Sequence, residues 1–180
     1  MLTFAERARA RLREEALDAA AALVVAGRFS MRDLAQRVGV SRQTLYSEFG
    51  DRRGVTSALV LRATERFLDE IEQALAGESD LHAAWMAAVG AALRRAEEDP
   101  LLKALLTEGV LGSGSEPIVR AATDRAAAYL RRWPEIDEAT ARLAAETAAR
   151  LTVSHIVLPL GPADRAARDV ATVVTAVLTS

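Results

Sequence analysis

Residues 30–49, with the sequence SMRDLAQRVGVSRQTLYSEF, restrict the fold of this chain more than any other segment. Ser30 is suited to begin a helix, because its hydroxyl can accept a hydrogen bond from an early backbone N–H. The apolar residues that follow share one face at helical spacing: Leu34, Ala35 and Val38. Gly39 is suited to end this helix, since glycine tolerates the left-handed conformation that a sharp exit requires. The pattern predicts a short helix followed by a tight turn.

A second short helix follows the turn. Ser41 is its expected cap, and Leu45 and Phe49 face inward. The polar side chains face outward: Arg42, Gln43, Thr44 and Ser47. Two short helices with a small residue at their contact, Ala35, and a glycine in the turn form the helix-turn-helix pattern. This pattern indicates that the second helix is presented to a groove of DNA.

The outward face of the second helix carries side chains suited to base edges. Arg42 and Gln43 lie at its N-terminal end, where a recognition helix reaches the floor of the groove. Arginine can pair with guanine and glutamine with adenine, and Thr44 can contact a thymine methyl group. Three further residues are candidate phosphate contacts: Ser30, Arg32 and Arg53. The alternative for each residue is that of an ordinary solvated surface side chain.

Residues 35–49 resemble the N-terminal DNA-binding domain of the TetR family of bacterial transcriptional regulators. The match consists of a Gly-Val-Ser turn at residues 39–41, Thr-Leu-Tyr at residues 44–46, and a phenylalanine three positions after the tyrosine. It extends over roughly residues 8–60, and beyond them only the helical layout is similar. The resemblance implies a DNA-binding regulator, with repression as the default sense, although an activator would carry the same DNA-binding residues.

The resemblance also implies roles for residues beside the second helix. Tyr46, Ser41 and Arg52 are expected to contact backbone phosphates. Arg52 stands where the family usually has lysine, so the positive charge is kept. Arg53 stands where the family often has glutamate, so one expected helix-capping acid is missing. The alternative for Tyr46 is that its ring only packs the small core.

Charge is unevenly distributed along the chain, whose net charge is −2. Residues 1–66 contain twelve arginines against eight acidic residues, whereas the remainder has an excess of six acidic residues. A basic end on an acidic body is typical of a domain that faces phosphate. Four arginines of the first helix form either a DNA-contacting arm or a solvated face: Arg7, Arg9, Arg11 and Arg13.

The composition excludes several classes of protein. Cysteine is absent, so the chain has no disulfide, no thiolate zinc site and no cysteine nucleophile, which fits a reducing cytosol. Arginines interrupt the N-terminal segment, which is therefore not a signal peptide. No uncharged run approaches the roughly 20 residues that a membrane helix needs. We expect a cytoplasmic protein.

Helical periodicity continues to the end of the chain and predicts an all-α fold of about nine helices, with no convincing strand. The expected helices cover residues 3–28, 30–38, 41–49, 52–76, 80–99, 101–111, 118–133, 137–158 and 162–178. Residues 1–50 form the expected DNA-binding domain, together with the start of the fourth helix at residues 51–60. Residues 51–180 form the expected ligand-binding and dimerisation domain, which the long fourth helix joins to the first.

The last two helices carry apolar stripes that predict a subunit interface. Specific DNA binding usually requires two copies of such a domain, because one copy contacts few base pairs. The expected interface residues are Leu143, Thr147, Leu151, Val170, Val173, Val174 and Val177. The resemblance implies a four-helix contact between two subunits. The alternative is that these stripes only close the core of one subunit.

A ligand pocket in the second domain is implied by the resemblance more than by individual residues. The candidate lining residues are Trp85, Met86, Val89, Leu105, Leu111, Tyr129, Trp133 and His155. The alternative for each of them is ordinary core packing, and His155 is better explained as a core or interface histidine. Because few candidates are polar, we expect a small apolar effector, acyl or aromatic. Effector binding would shift the fourth helix and release DNA.

Two other classes of function compete with this hypothesis. An enzyme is not expected, because His82 lacks metal-ligand spacing and the consecutive acids at residues 97–99 point in different directions round a helix. No metal or cofactor is expected either. The second competitor is a regulator or adaptor whose C-terminal domain binds a protein partner. The preferred prediction is a dimeric repressor that a small, mostly apolar effector releases from a palindromic DNA operator.

Overall fold

The computed structural model describes residues 3–107 and 116–179, with residues 105–107 described by their backbone only. Within these ranges the chain forms nine α-helices and no strand, so the prediction of an all-α fold is confirmed. The helices are α1 (Phe4–Val25), α2 (Met31–Val38), α3 (Arg42–Phe49), α4 (Arg52–Ala76), α5 (Leu81–Glu98), α6 (Pro100–Thr107), α7 (Glu116–Leu130), α8 (Glu138–Val157) and α9 (Ala163–Leu178). The expected end of the sixth helix at Leu111 lies outside the described residues.

Two compact units divide the chain, Met1–Arg62 and Ala63–Ser180. Helix α4 contributes residues to each of them. No helix of the described ranges is both long enough and apolar enough to cross a membrane.

Serine caps start the two short helices of the first unit, as the sequence predicts. The Ser30 hydroxyl accepts a hydrogen bond from the Asp33 backbone N–H at 3.1 Å. The Ser41 hydroxyl accepts one from the Thr44 N–H at 3.0 Å. Each cap is worth about 1 kcal/mol, because it satisfies a backbone donor that the helix itself leaves unpaired. These caps define where α2 and α3 begin.

Two glycines shape the backbone on either side of α3, Gly39 in the turn before it and Gly54 in the first turn of α4. Gly39 has a φ of 75°, the left-handed conformation that closes α2. Gly54 is required for a different reason: a Cβ atom there would lie 1.7 Å from the carbonyl oxygen of Phe49. The Asp51 carboxylate accepts the Gly54 N–H at 2.9 Å and caps the start of α4. The end of α3 and the start of α4 are therefore in close backbone contact.

The core of the first unit is formed by the inward faces of its four helices. Leu34, Leu45 and Val55 are fully buried there. Burying a side chain of this size contributes about 1.5–3 kcal/mol. The same burial leaves the opposite face of each short helix in solvent, which sets the orientation of the polar residues of α3.

Alanine dominates the core of the second unit. The buried faces of α5, α8 and α9 carry many small side chains: Ala84, Ala88, Ala92, Ala96, Ala144, Ala148, Ala167 and Ala171. Small residues let helices approach closely. The buried Tyr129 hydroxyl donates to the Leu75 carbonyl at 2.9 Å. Burial raises the pKa of Tyr129, so the phenol keeps its proton as a donor near neutral pH.

Candidate nucleic-acid interface

The outward face of α3 brings together four of the predicted DNA-binding residues. Arg42, Gln43, Tyr46 and Ser47 are exposed and line one shallow depression. They share a face because residues four apart lie one above the other on a helix. Thr44 is half-buried, and its hydroxyl shares a hydrogen bond of 2.8 Å with the Ser41 hydroxyl. The face therefore presents one cation, one amide, one phenol and one hydroxyl to solvent.

Helix α1 holds α3 through an acidic residue, Glu48, that was not among the predicted site residues. The Glu48 carboxylate accepts hydrogen bonds from Arg9 and, at 3.0 Å, from Arg13. The Arg13 guanidinium also lies 4.8 Å from the centre of the Phe49 ring. Arg9 and Arg13, which the sequence offered as a DNA-contacting arm or a solvated face, thus hold α3 in place. The one available signal was an acid inside a helix whose other polar side chains are one cation and several neutral groups.

The arginines of the first unit fall into paired and unpaired groups. Arg62 binds Glu14 at 3.0 Å and Asp18 at 2.8 Å, and Arg11 pairs with Glu15. Within the described ranges, six others make no ion pair: Arg28, Arg32, Arg37, Arg42, Arg52 and Arg53. Among the residues that the structure describes, five of these make no aromatic contact either, whereas the Arg52 guanidinium lies 5.3 Å from the Phe29 ring centre. Unpaired cations beside α3 favour the approach of phosphate.

The two serine caps differ in what they can offer to a phosphate. The Ser30 hydroxyl donates its proton to the Asp33 carboxylate at 2.6 Å, so that proton is already used. The Ser41 hydroxyl shares one hydrogen bond with Thr44, in which either oxygen can be the donor. One of those two protons therefore remains for an outside acceptor. The geometry favours Ser41 over Ser30 as a phosphate donor, and the roles of both stay predictions.

A small cavity lies in the second unit, with a volume of about 70 Å³. Its described lining comes from α4, α5, α7 and α8 and is mostly apolar. Three of the lining residues are ionisable or carry a hydroxyl: Glu72, Arg125 and Thr152. Sequence reasoning missed these three, because nothing in the local pattern shows which face of each helix meets the others.

The structure brings two of the predicted ligand residues, Trp85 and Val89, to this cavity. Four others are outside its lining: Met86, Tyr129, Trp133 and His155. Met86 is exposed, and the rings of Tyr129 and Trp133 contact each other with their centres 5.2 Å apart. The remaining two, the Leu105 side chain and Leu111, lie outside the described residues.

The predicted interface residues divide between exposed and buried positions. Leu143 and Val173 are 59% and 46% exposed, which leaves them available to a second subunit. Three more are half-buried: Thr147, Leu151 and Val177. Val170 and Val174, however, are at most 1% exposed, so their placement at a subunit interface was wrong. They point into the subunit's own core because α9 packs that face against α5 and α8.

Two family models match the chain in separate segments. Residues 16–59 match the model described as bacterial regulatory proteins, tetR family. Residues 80–176 match the model described as bacterial tetracyclin repressor, C-terminal domain. The first match contains α2 and α3, and the second contains most of the unit that holds the cavity.

Known proteins resemble the chain over nearly its whole length. The HTH-type transcriptional regulator AlkX of Mycobacterium tuberculosis is 30% identical, covering 97% of this chain and 88% of AlkX. The crystal structure of a TetR family repressor AlkX from a Dietzia species has a TM-score of 0.72 and 31% identity, covering 93% of this chain and 95% of that one. A TetR-family regulator from Pectobacterium atrosepticum has a TM-score of 0.65, with coverages of 97% and 93%. Its 23% identity supports the fold alone.

Proposed function

The chain belongs to the TetR family of bacterial transcriptional regulators, and we therefore propose that it is a dimeric repressor whose palindromic operator is released when a small, mostly apolar effector binds. Its family is one of DNA-binding regulators rather than of enzymes. As a regulator of transcription it would work where the chromosome lies, in the cytoplasm.

The exposed polar face of α3 is the observation that carries the DNA-binding half of this proposal. Arg42 and Gln43 supply base-edge donors and acceptors at the N-terminal end of the helix. Tyr46 and Ser47 supply hydroxyl groups on the same face. Arg52, which makes no ion pair with any described residue, adds positive charge beside them. In this proposal Arg42 and Gln43 read the bases. The phosphate contacts come from Tyr46, Ser47 and Arg52.

A pair of subunits is proposed because one α3 helix reads too few base pairs for specific binding. Leu143 on α8 and Val173 on α9 are large apolar side chains that one subunit leaves in solvent. Covering them with a second copy removes apolar area from water. A two-fold pair of this kind would require two half-sites about one helical turn of DNA apart.

The cavity of the second unit supports an effector of aliphatic character. Its lining is mostly apolar, and the similar Dietzia repressor is described as implicated in biodegradation of n-alkanes. Helix α4 supplies Phe67, Leu68 and Ile71 to this lining and begins with the arginines at residues 52–53. An effector that prefers one position of α4 would shift the population away from the DNA-binding state. The cavity also favours a small molecule over a protein partner for the second domain.

Selection of bound DNA from random oligonucleotides tests the proposal. A dimeric reader is expected to enrich an inverted repeat, and the enriched DNA should bind with a Kd roughly a thousandfold or more below that of unrelated DNA. Recovery of no common sequence, or of a single half-site without symmetry, would contradict the proposed mode of binding. The enriched sequence then serves as the operator in tests of effector release.

A further inference from the structure

The indole N–H of Trp85 is a buried donor that has no acceptor among the described residues. Trp85 lines the cavity and is 3% exposed. No atom of the described ranges accepts a hydrogen bond from its Nε1. Buried tryptophan N–H groups usually find a partner, and an unsatisfied one costs about as much as a lost hydrogen bond. A ligand that brings an acceptor into the cavity recovers that loss.

The other polar groups of the cavity have partners already. The Arg125 guanidinium bonds the Asp69 carboxylate and lies 3.5 Å from that of Glu72. The Thr152 hydroxyl donates its proton to the Ala148 carbonyl at 2.7 Å. Two carboxylates therefore face one guanidinium, and no unpaired cation lies among the described lining residues. An anionic ligand group would lose its hydration without gaining a counter-charge, which is costly.

The size and surface of the cavity limit the rest of the ligand. A volume of about 70 Å³ holds about five water-sized groups, since each needs roughly 10–15 Å³. The lining is mostly alanine, valine, leucine and isoleucine, which favours a slender aliphatic chain over a polar one. A short unbranched chain fits this space.

We propose that the ligand of this cavity is an uncharged aliphatic molecule with one acceptor oxygen, such as an alcohol, aldehyde, ketone or ester. Its oxygen accepts the hydrogen bond of the Trp85 indole, and its chain lies against the small apolar side chains of α5 and α8. This ligand class refines the effector of the proposed function and depends on it for its regulatory meaning. The binding itself does not require DNA, so the two are tested separately.

Nitrogen-15 NMR of the DNA-free protein detects the hydrogen bond directly. The protein has two tryptophans, so a Trp133→Phe variant retains one indole signal, which is that of Trp85. Addition of 2-hexanone, which can accept but not donate, is expected to move the Trp85 indole proton downfield. Addition of n-hexane is expected to cause no downfield movement. An unchanged signal under saturating 2-hexanone would overturn the assignment of Trp85.

Calorimetric titration of the same two ligands separates hydrogen bonding from shape. Trp85→Phe is expected to weaken 2-hexanone binding about tenfold and to leave n-hexane within about twofold. The matched substitution Trp133→Phe lies outside the cavity lining and should change neither affinity. An equal loss of affinity for both ligands in Trp85→Phe would mean that Trp85 contributes only to the shape of the cavity, which would refute the proposal. The affinity of each variant is compared with that of the wild type for the same ligand, because the ketone and the alkane differ in hydration.

Hexanoate, which is an anion at neutral pH, tests whether the cavity prefers an uncharged ligand. It is expected to bind more weakly than 2-hexanone, and tighter binding would refute an uncharged ligand. Operator release is measured in a separate assay. Binding of 2-hexanone through Trp85 that leaves the DNA complex intact would support the ligand class while contradicting its role as effector. Loss of DNA binding in the ligand-free protein would contradict the proposed function and leave the ligand class standing.

Discussion

The outward face of α3 is polar, whereas the cavity of the unit Ala63–Ser180 is mostly apolar. The α3 face consists of polar side chains from a single helix, and each is placed by its position along that helix. The cavity consists mainly of short apolar side chains that four helices bring together. In the proposed function, the α3 face would select DNA by its hydrogen-bond pattern, and the cavity would select a ligand by size and by the Trp85 indole N–H, which has no acceptor among the described residues. Local sequence rules therefore determine the first region, whereas tertiary packing determines the second.

The largest expected effect on stability comes from disrupting the close contact between α3 and α4. Gly54→Ala would place a Cβ atom 1.7 Å from the Phe49 carbonyl oxygen, so the backbone of the turn must move. We expect a loss of about 3 kcal/mol in the free energy of unfolding. Gly77→Ala is the matched control, since its Cβ would lie at an ordinary 3.6 Å from the nearest atom. Urea denaturation curves that are equal for the two variants would contradict the proposed tight contact.

The exposed apolar residues of the second unit test whether two subunits meet there. Leu143→Glu places a charge on a residue that is exposed in one subunit and would be covered in a pair. The dimer dissociation constant is expected to rise by about a hundredfold, measured by sedimentation. Leu61→Glu, at an equally exposed leucine of the first unit, should leave the dimer unchanged. A wild-type protein that sediments as a monomer at micromolar concentration would refute the interface.

Arg52 distinguishes phosphate contact from base reading. Arg52→Ala is expected to weaken binding to all DNA sequences alike and to lower the slope of log affinity against log salt by about one unit. Arg120→Ala in the second unit removes an arginine that is paired with Glu116 and should change neither quantity. Titrations at several salt concentrations give the slopes. A loss confined to the operator would contradict the phosphate role of Arg52.

The smallest expected effect is a change in stability on substitution of Glu48, which anchors α3 to α1. Glu48→Gln removes the ion pairs with Arg9 and Arg13, whose exposed guanidinium groups limit the value of each pair. We expect a loss of about 1 kcal/mol in the free energy of unfolding at low salt, and less at high salt. Glu15→Gln, which breaks only the exposed pair with Arg11, should lie within about 0.5 kcal/mol of the wild type. Identical melting temperatures for both variants would refute the holding role.

The sequence predicts the first region well because its determinants lie close together along the chain. Ser30 and Ser41 cap helices whose N–H groups are three residues away, and Gly39 closes a turn within the same segment. The cavity is different, since Ala88 and Ala148 line it only because distant helices leave a gap there. Helical periodicity does not distinguish an alanine beside a cavity from an alanine at a tight helix contact.

Periodicity also fails to show which apolar face of a helix meets which partner. Helix α9 has valines on two faces, of which one is buried in the subunit and the other is exposed. The sequence grouped Val170 and Val174 with Val173, whereas the structure separates them. Glu48 was missed for a similar reason, because its partners lie more than thirty residues away on α1.

The proposed function depends above all on the tip of α3, which would read base edges in two symmetric half-sites. Repeating the random-oligonucleotide selection with Gln43→Ala tests it most directly. The expected result is an inverted repeat in which one base pair per half-site, at mirror-related positions, has lost its preference, with a cost of about 1–3 kcal/mol per site. A repeat identical to that of the unsubstituted protein, or a change in only one half, would show that Gln43 does not read a base in two symmetric half-sites.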